Sequence, residues 1–153
     1  MGLCVGYLAL FIGTFYHNLD AKNRVTVPRK ILEKAVGNGR PTRFYLSVGM
    51  DDCLFLFTED RWQELTRSLD SVSLGRQEAR DFQRLFFSDT HEVDVDASGR
   101  ILIPDVLKSA AGLTREVVFL GAGSRVEIWD AEQWKTRKNK IAGGYAKIAS
   151  DII

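Results

Sequence analysis

Ten residues, Leu19 to Pro28 (LDAKNRVTVP), return nearly unchanged as Val95 to Pro104 (VDASGRILIP) in a chain of 153 residues. Asp20, Ala21, Arg24 and Pro28 recur at a constant offset of 76 as Asp96, Ala97, Arg100 and Pro104, and Leu19, Val25 and Val27 are answered by Val95, Ile101 and Ile103. Further on the offset becomes 72, with Gly49 and Trp62 matching Gly121 and Trp134, because the first copy carries four more residues in the loop GNGRPTR. A unit this small cannot bury its apolar face alone, whereas two copies can. The repeat therefore predicts one domain made of two like halves.

Each copy shows the same order of local signals. Phe15, His17 and Leu19 alternate as in a strand, Asp20 to Asn23 are turn formers, and Arg24 to Val27 alternate again. This pattern predicts a hairpin closed by Lys-Asn in the first half and Ser-Gly in the second. Asn23 and Gly99 share one slot, and both tolerate the positive φ of a tight turn. Pro28 and Pro104 suit the first turn of a short helix, with Ile31, Leu32, Ala35 and Val36, or Val106, Leu107, Ala110 and Ala111, on its apolar side and Gly37 or Gly112 as its stop.

A second strand pair follows each helix, Phe44 to Val48 with Cys53 to Phe57 and Glu116 to Leu120 with Arg125 to Trp129. Thr58 and Asp130 then have the chemistry of N-caps for helices that wedge Trp62 and Trp134 onto the sheet. Between the halves, Gln77 to Phe87 predicts a connecting helix with Phe82, Leu85 and Phe86 on one side and Arg76, Arg80 and Arg84 on another. The domain plan is a first module over residues 11–62, a helical connector over 63–90, a second module over 91–134 and a basic, partly helical tail over 135–153, interrupted at Gly143-Gly144.

A net charge of +1 conceals segregation along the chain. Residues 1–50 hold seven Lys/Arg against two Asp/Glu, residues 51–96 five against twelve, and residues 97–153 nine against six. Such a distribution can give a near-neutral protein one positive face, as an electrostatic footprint on DNA requires, and it equally describes solvated surface on both halves. Two cysteines, Cys4 and Cys53, make no disulfide framework and no zinc motif, so a reducing cytoplasm is expected. The apolar start MGLCVGYLALFIG lacks a basic lead, a cleavage pattern and the length to span a bilayer.

Enzyme classes find little support. Paired aspartates from two halves could share a proton, yet Ala21 and Ala97 interrupt the turn such a site uses. Each aspartate also has an arginine four residues on, which keeps a carboxylate ionised. His17 and His91 are not equivalent in the repeat, and no Ser or Cys motif supplies a nucleophile. GAGSRV lacks the third glycine of a dinucleotide fingerprint, and no phosphate loop is present. The expectation is no catalytic residue, no metal and no cofactor.

What remains is a repeated turn bearing Lys22 and Arg24 in one half and Arg100 in the other, with Arg29 and Lys30 close behind. An arginine fork can hold guanine O6 and N7 or clamp a phosphate, and a two-stranded ribbon fits the major groove. Asp20 and Asp96 would orient the arginines and, with Asn23 and Gly99, shape the turns. The alternative is that each Asp/Arg pair is an internal salt bridge, the chain being a non-catalytic oligomeric scaffold or protein-interaction module. From the residues alone both readings stand.

The paired motifs Asp20-Ala-Lys-Asn-Arg24 and Asp96-Ala-Ser-Gly-Arg100, each followed by apolar residues and proline, together with Trp62 and Trp134, resemble the MraZ family of bacterial transcriptional regulators from Phe11 to about Lys140. The resemblance implies an α+β, mainly β fold, a duplicated SpoVT/AbrB-like swapped-hairpin β-barrel with short peripheral helices. It implies a cytoplasmic, nucleoid-associated regulator that forms ring-like homo-oligomers and binds repeated G-rich boxes in double-stranded DNA, at the promoter of a division and cell-wall gene cluster that includes its own gene. The family's DNA-contacting positions fall on Arg24 and Arg100, with Lys22 as helper. Asn23 departs from the family's usual glycine, and Ser98 stands where the first motif has Lys22, so the first half is expected to dominate the contact. Family chains usually begin with a methionine directly before Phe11-Ile12-Gly13. Here Leu10 stands in that place behind nine further residues, so a misassigned start codon is expected. N-terminal sequencing of the natively expressed protein checks it, and a mature chain beginning at Met1 overturns it.

Overall fold

The computed structural model describes residues 9–35 and 43–153. The expected helix stop at Gly37, the apolar Val36 and the question of the first residues up to position 8 lie outside them. Strands β1 (Thr14–Asn18) and β2 (Arg24–Thr26), helix α1 (Arg29–Ala35), strands β3 (Arg43–Val48) and β4 (Leu54–Phe57) and helix α2 (Glu59–Asp70) form the first half. Helix α3 (Gln77–Ser88) connects it to the second half: β5 (His91–Asp94), β6 (Arg100–Leu102), α4 (Asp105–Ala110), β7 (Glu116–Gly121), β8 (Val126–Asp130) and α5 (Ala131–Ala142). Helix α6 (Tyr145–Ile152) follows.

The two halves exchange strands. A six-stranded antiparallel sheet runs β1-β7-β8-β4-β3-β5, and β2 pairs with β6 in a separate ribbon. The first strand of each half thus lies on the third strand of the other, with Phe15 opposite Phe119 and Phe44 opposite Val93. The local hairpin expected from the sequence is replaced by this swap. Asp20 N–H still donates to the Arg24 carbonyl at 2.9 Å, but β1 spends its five-residue ladder on β7 and β2 turns away to β6. The two edge strands therefore run on into the ribbon that caps the sheet.

Alternation divides the apolar residues into two layers. Val25, Val27, Ile101 and Ile103 from the ribbon region pack with Phe44, Leu46, Leu54, Leu56, Val117, Phe119 and Ile128 from the sheet in one cluster inside the closed structure. Phe55, Phe57, Val118, Leu120 and Trp129 point the other way, beneath Trp62, Leu65, Phe86 and Trp134. Complete burial of a Leu, Ile or Phe side chain is worth about 1.5–3 kcal/mol, so the inner layer, drawn from both halves, binds them into one folding unit.

Helix ends follow the expected chemistry. Thr58 Oγ1 accepts from Arg61 N–H at 3.3 Å, and Asp130 Oδ2 accepts from Gln133 N–H at 3.4 Å. Trp62 stacks on Tyr45 at 5.1 Å and on Phe86 of α3 at 5.6 Å, while Trp134 packs on Trp129 at 5.4 Å. Four apolar assignments fail, Phe82 and Ala110 being exposed along with Val106 and Leu85. Val106 is 52% exposed and Leu85 69%, because α4 is too short to bury more than the stripe of Leu107 and Ala111, and α3 rests on the domain through Phe86. Gly121 lies where chain 11–13 crosses β7: its N–H donates to the Gly13 carbonyl at 2.9 Å, and any Cβ would collide with the backbone of Phe11 and Ile12. No helix among the described residues is long and apolar enough to cross a membrane.

Candidate nucleic-acid interface

The ribbon pairs Arg24 with Leu102, Val25 with Ile101 and Thr26 with Arg100. Since equivalent residues differ by 76, Val25 and Ile101 are each other's counterparts and a pseudo-two-fold axis passes between them. On the far side of the molecule Phe55 and Glu127, equivalent at the offset of 72, also face each other across β4 and β8. The ribbon is lengthened symmetrically by Val27 N–H donating to the Gly99 carbonyl at 2.9 Å and Ile103 N–H to the Asn23 carbonyl at 2.8 Å. Val25 and Ile101 are buried, each 1% exposed. By alternation Arg24, Thr26, Arg100 and Leu102 project together from the opposite, outer face.

The turns before β2 and β6 have one construction. Asp20 Oδ1 accepts from Lys22 N–H at 2.8 Å and Arg24 N–H at 2.9 Å, and Asp96 Oδ1 accepts from Ser98 N–H and Arg100 N–H, both at 2.9 Å. Asn23 and Gly99 take the left-handed conformation at the same place, with φ of 61° and 80°. The Arg24 amide, foremost, holds the Asp20 carboxyl below its ordinary value of 3.8, and the Arg100 amide does the same for Asp96. Both are anions at neutral pH, fixed as turn acceptors and unsuited to proton donation.

The arginine side chains differ. Arg100 Nε donates to Asp96 Oδ2 at 3.1 Å, its Nη1 lies 3.7 Å from Asp20 Oδ2, and its side chain is 33% exposed. Arg24 closes no ion pair among the described residues, and Lys22 is exposed. Asn23 is tied to the second half, its Nδ2 donating to Asp105 Oδ1 at 2.6 Å and its Oδ1 accepting from Lys108 Nζ at 2.9 Å. Gly99 has no side chain to make such a link, and a Cβ there would meet only Leu32, at 3.5 Å. Arg29, in the first turn of α1, pairs with Glu33 at 3.4 Å, and Lys30 lines a cleft with Leu10 to Phe15 beside β1. The fold thus gathers Asp20, Asn23, Arg24, Asp96, Gly99 and Arg100 on one ribbon and its turns, and sets Lys30 apart. Thr26 and Leu102 share the outer face without belonging to the motif; alternation between buried Ile101 and Ile103 is the signal that marks Leu102.

The geometry offers two cationic forks on a narrow two-stranded surface. Among the described residues no three His, Cys, Asp or Glu side chains gather as a metal site. His17 and His91 lie on the opposite edge strands of the sheet. Cys53 is buried, and its burial, with the nearby Glu127 carboxylate, pushes the thiol up to about 12, far from the thiolate that reactivity needs.

A family model described as "MraZ protein, putative antitoxin-like" matches the chain twice, over residues 10–85 and 86–149. Proteins named transcriptional regulator MraZ are similar over almost the whole length. The one from Syntrophomonas wolfei is 37% identical over 94% of this chain and 97% of its own, that from Heliobacterium modesticaldum 38% over 94% and 97%, and that from Pelotomaculum thermopropionicum 40% over 94% and 96%.

Proposed function

The chain belongs to the MraZ family, and on that premise we propose that it is a DNA-binding transcriptional regulator, with the outer face of the β2–β6 ribbon as its contact surface. Its target is double-stranded DNA carrying repeated G-rich boxes at the promoter of a division and cell-wall gene cluster that includes its own gene. The observation that carries this reading is Arg24: a guanidinium on an outward ribbon face, backbone-fixed by Asp20 yet closing no ion pair among the described residues. Such a fork is poised for guanine O6 and N7 in the major groove. Lys22 and Arg100 assist, Arg29 supplies phosphate contact, and Lys30 contributes from the side. Ring-like homo-oligomers in the nucleoid repeat the contact along several boxes, so avidity supplies what one near-neutral protomer lacks.

A mobility-shift titration on the chain's own upstream DNA tests the proposal. Wild-type protein should prefer that DNA to a scrambled sequence and release it steeply as salt rises. Equal, salt-insensitive binding to both would sink the regulator reading. One observation favours the scaffold alternative in part: Arg100 is held by two carboxylates as a turn staple would be. Under that alternative Arg24→Ala lowers the melting temperature without changing any interaction with DNA.

A further inference from the structure

We infer that Leu102 is a specificity-determining residue that reads the 5-methyl group of a thymine adjoining the guanine held by Arg24. The inference rests on the regulator reading, since it takes the ribbon's outer face to enter the major groove, and it asks which bases that face can recognise.

In the major groove adenine is read by a carboxamide, cytosine by a carboxylate, guanine by an arginine or lysine, and thymine by apolar contact with its methyl. The only carboxamide on the ribbon and its turns is Asn23, and both ends of it are committed, to Asp105 and to Lys108. The carboxylates there are Asp20 and Asp96. Their Oδ1 atoms hold turn amides, and their Oδ2 atoms face Arg100. Adenine and cytosine therefore lack a free carboxamide or carboxylate reader, and the one hydroxyl on the outer face, that of Thr26, lies opposite Arg100. Arg24 remains for guanine, and Leu102 is the residue directly opposite it in the ribbon register.

A lone exposed leucine is ordinary; the placement of this one is not. Leu102 is 53% exposed between Ile101 at 1% and Ile103 at 0%. Directly opposed residues on one face of an antiparallel pair have Cβ atoms about 4.5–5.5 Å apart, and adjacent bases rise about 3.4 Å along a strand. One step along the DNA therefore lies within reach of the neighbouring side chain. The counterpart of Leu102 in the first half is Thr26, opposite Arg100, with a single methyl to offer and a partner arginine already occupied. The Arg24–Leu102 side thus discriminates guanine with an adjacent thymine, and the Arg100–Thr26 side does so weakly.

The test uses full-length protein and its own upstream duplex in mobility-shift titrations. Replacing single guanines with 7-deazaguanine locates the guanine read by Arg24, as the one whose substitution weakens wild type and leaves Arg24→Ala unchanged. Single thymines are then replaced by deoxyuridine, which pairs identically and lacks the methyl. At one thymine flanking that guanine, deoxyuridine should weaken wild-type binding about fourfold, the worth of one buried methyl. In Leu102→Ala, confirmed folded by an unchanged melting temperature, the ratio of the two duplexes should fall to one. A ratio of one at every thymine in wild type, or a ratio that persists in Leu102→Ala, overturns the inference alone. Absence of salt-sensitive binding to any duplex overturns it together with the regulator reading.

Discussion

The two halves share a backbone plan and divide its work differently. Both turns place an aspartate carboxylate under two amides and a left-handed residue at the same step. In the second half the arginine is folded back onto the aspartates and glycine supplies the left-handed residue, so the turn is self-contained. In the first half the arginine is left unpaired among the described residues, and Asn23 anchors the turn across the molecule to Asp105 and Lys108. Duplication preserved the geometry that both halves need to close one core. It left the arginine of one copy without an ion pair among the described residues and folded that of the other back onto the aspartates.

The tryptophans sharpen the contrast most. Trp62 meets Tyr45, Phe57, Phe86 and Phe87, and so carries the docking of α3 as well as α2. Trp134 has a single aromatic neighbour among the described residues, Trp129. Trp62→Ala should cost about 3 kcal/mol of unfolding free energy, near the lower end for large aromatics because Trp62 is only half-buried. Trp134→Ala should cost about 1–2 kcal/mol. Urea denaturation followed by circular dichroism measures both, and equal losses would remove the asymmetry attributed to α3.

Binding comes next. Arg24→Ala should weaken DNA binding by about 1–3 kcal/mol per engaged site, if the fork holds guanine, with the melting temperature unchanged. Arg100→Ala should do less to binding and lower the melting temperature by roughly 1–4 °C, because it removes a partly exposed ion pair that closes its own turn. Mobility shifts and thermal melts on the two variants, run side by side, separate these outcomes. The converse pattern would exchange the roles assigned to the halves.

Much of this was legible in the residues because the repeat is written in them. The offsets of 76 and 72 predict which side chains share a face, and Thr58, Asp130, Trp62 and Trp134 announce the helices that cover the sheet. The strand exchange was not legible from local pattern, since the alternation of Phe15, His17 and Leu19 is the same whether β1 lies on β2 or on β7. It entered only through the family resemblance. The difference between Arg24 and Arg100 was also hidden, because both motifs carry an aspartate four residues before the arginine. What distinguishes them is the pair Arg100 makes with its own aspartate and the approach of Asp20 to Arg100 across the ribbon, a contact between residues 80 apart.

The left-handed position gives a smaller effect. Gly99→Ala should cost about 1 kcal/mol, from the backbone strain of a Cβ at φ 80°, since Leu32 leaves room at 3.5 Å. Asn23→Gly relieves the left-handed backbone strain and loses one exposed and one part-buried side-chain bond, so it should change stability by less than about 0.5 kcal/mol. Thermal melts of the two variants measure the difference. A large loss in Asn23→Gly would mean that the strap to Asp105 and Lys108 is a principal link between the halves.

The smallest effect concerns acid. Both aspartates titrate below the ordinary value of 3.8 in the folded chain, so their stabilisation is present above that value and is lost as pH falls below it toward the lower folded-state value. Melting temperatures from pH 6 to pH 3 should therefore hold and then drop. Asp96→Asn retains an Oδ1 that can accept the Ser98 and Arg100 amides while removing the charge 3.1 Å from Arg100 Nε, and it should flatten part of that drop. Asp20→Asn alters net charge equally but leaves the shorter of the two Arg100 pairs in place. If the carboxylate restrains Arg100, Asp96→Asn at neutral pH should strengthen DNA binding more than Asp20→Asn does, by less than about threefold. Equal gains in the two variants would mean that only net charge has changed and that Arg100 is no freer without its aspartate.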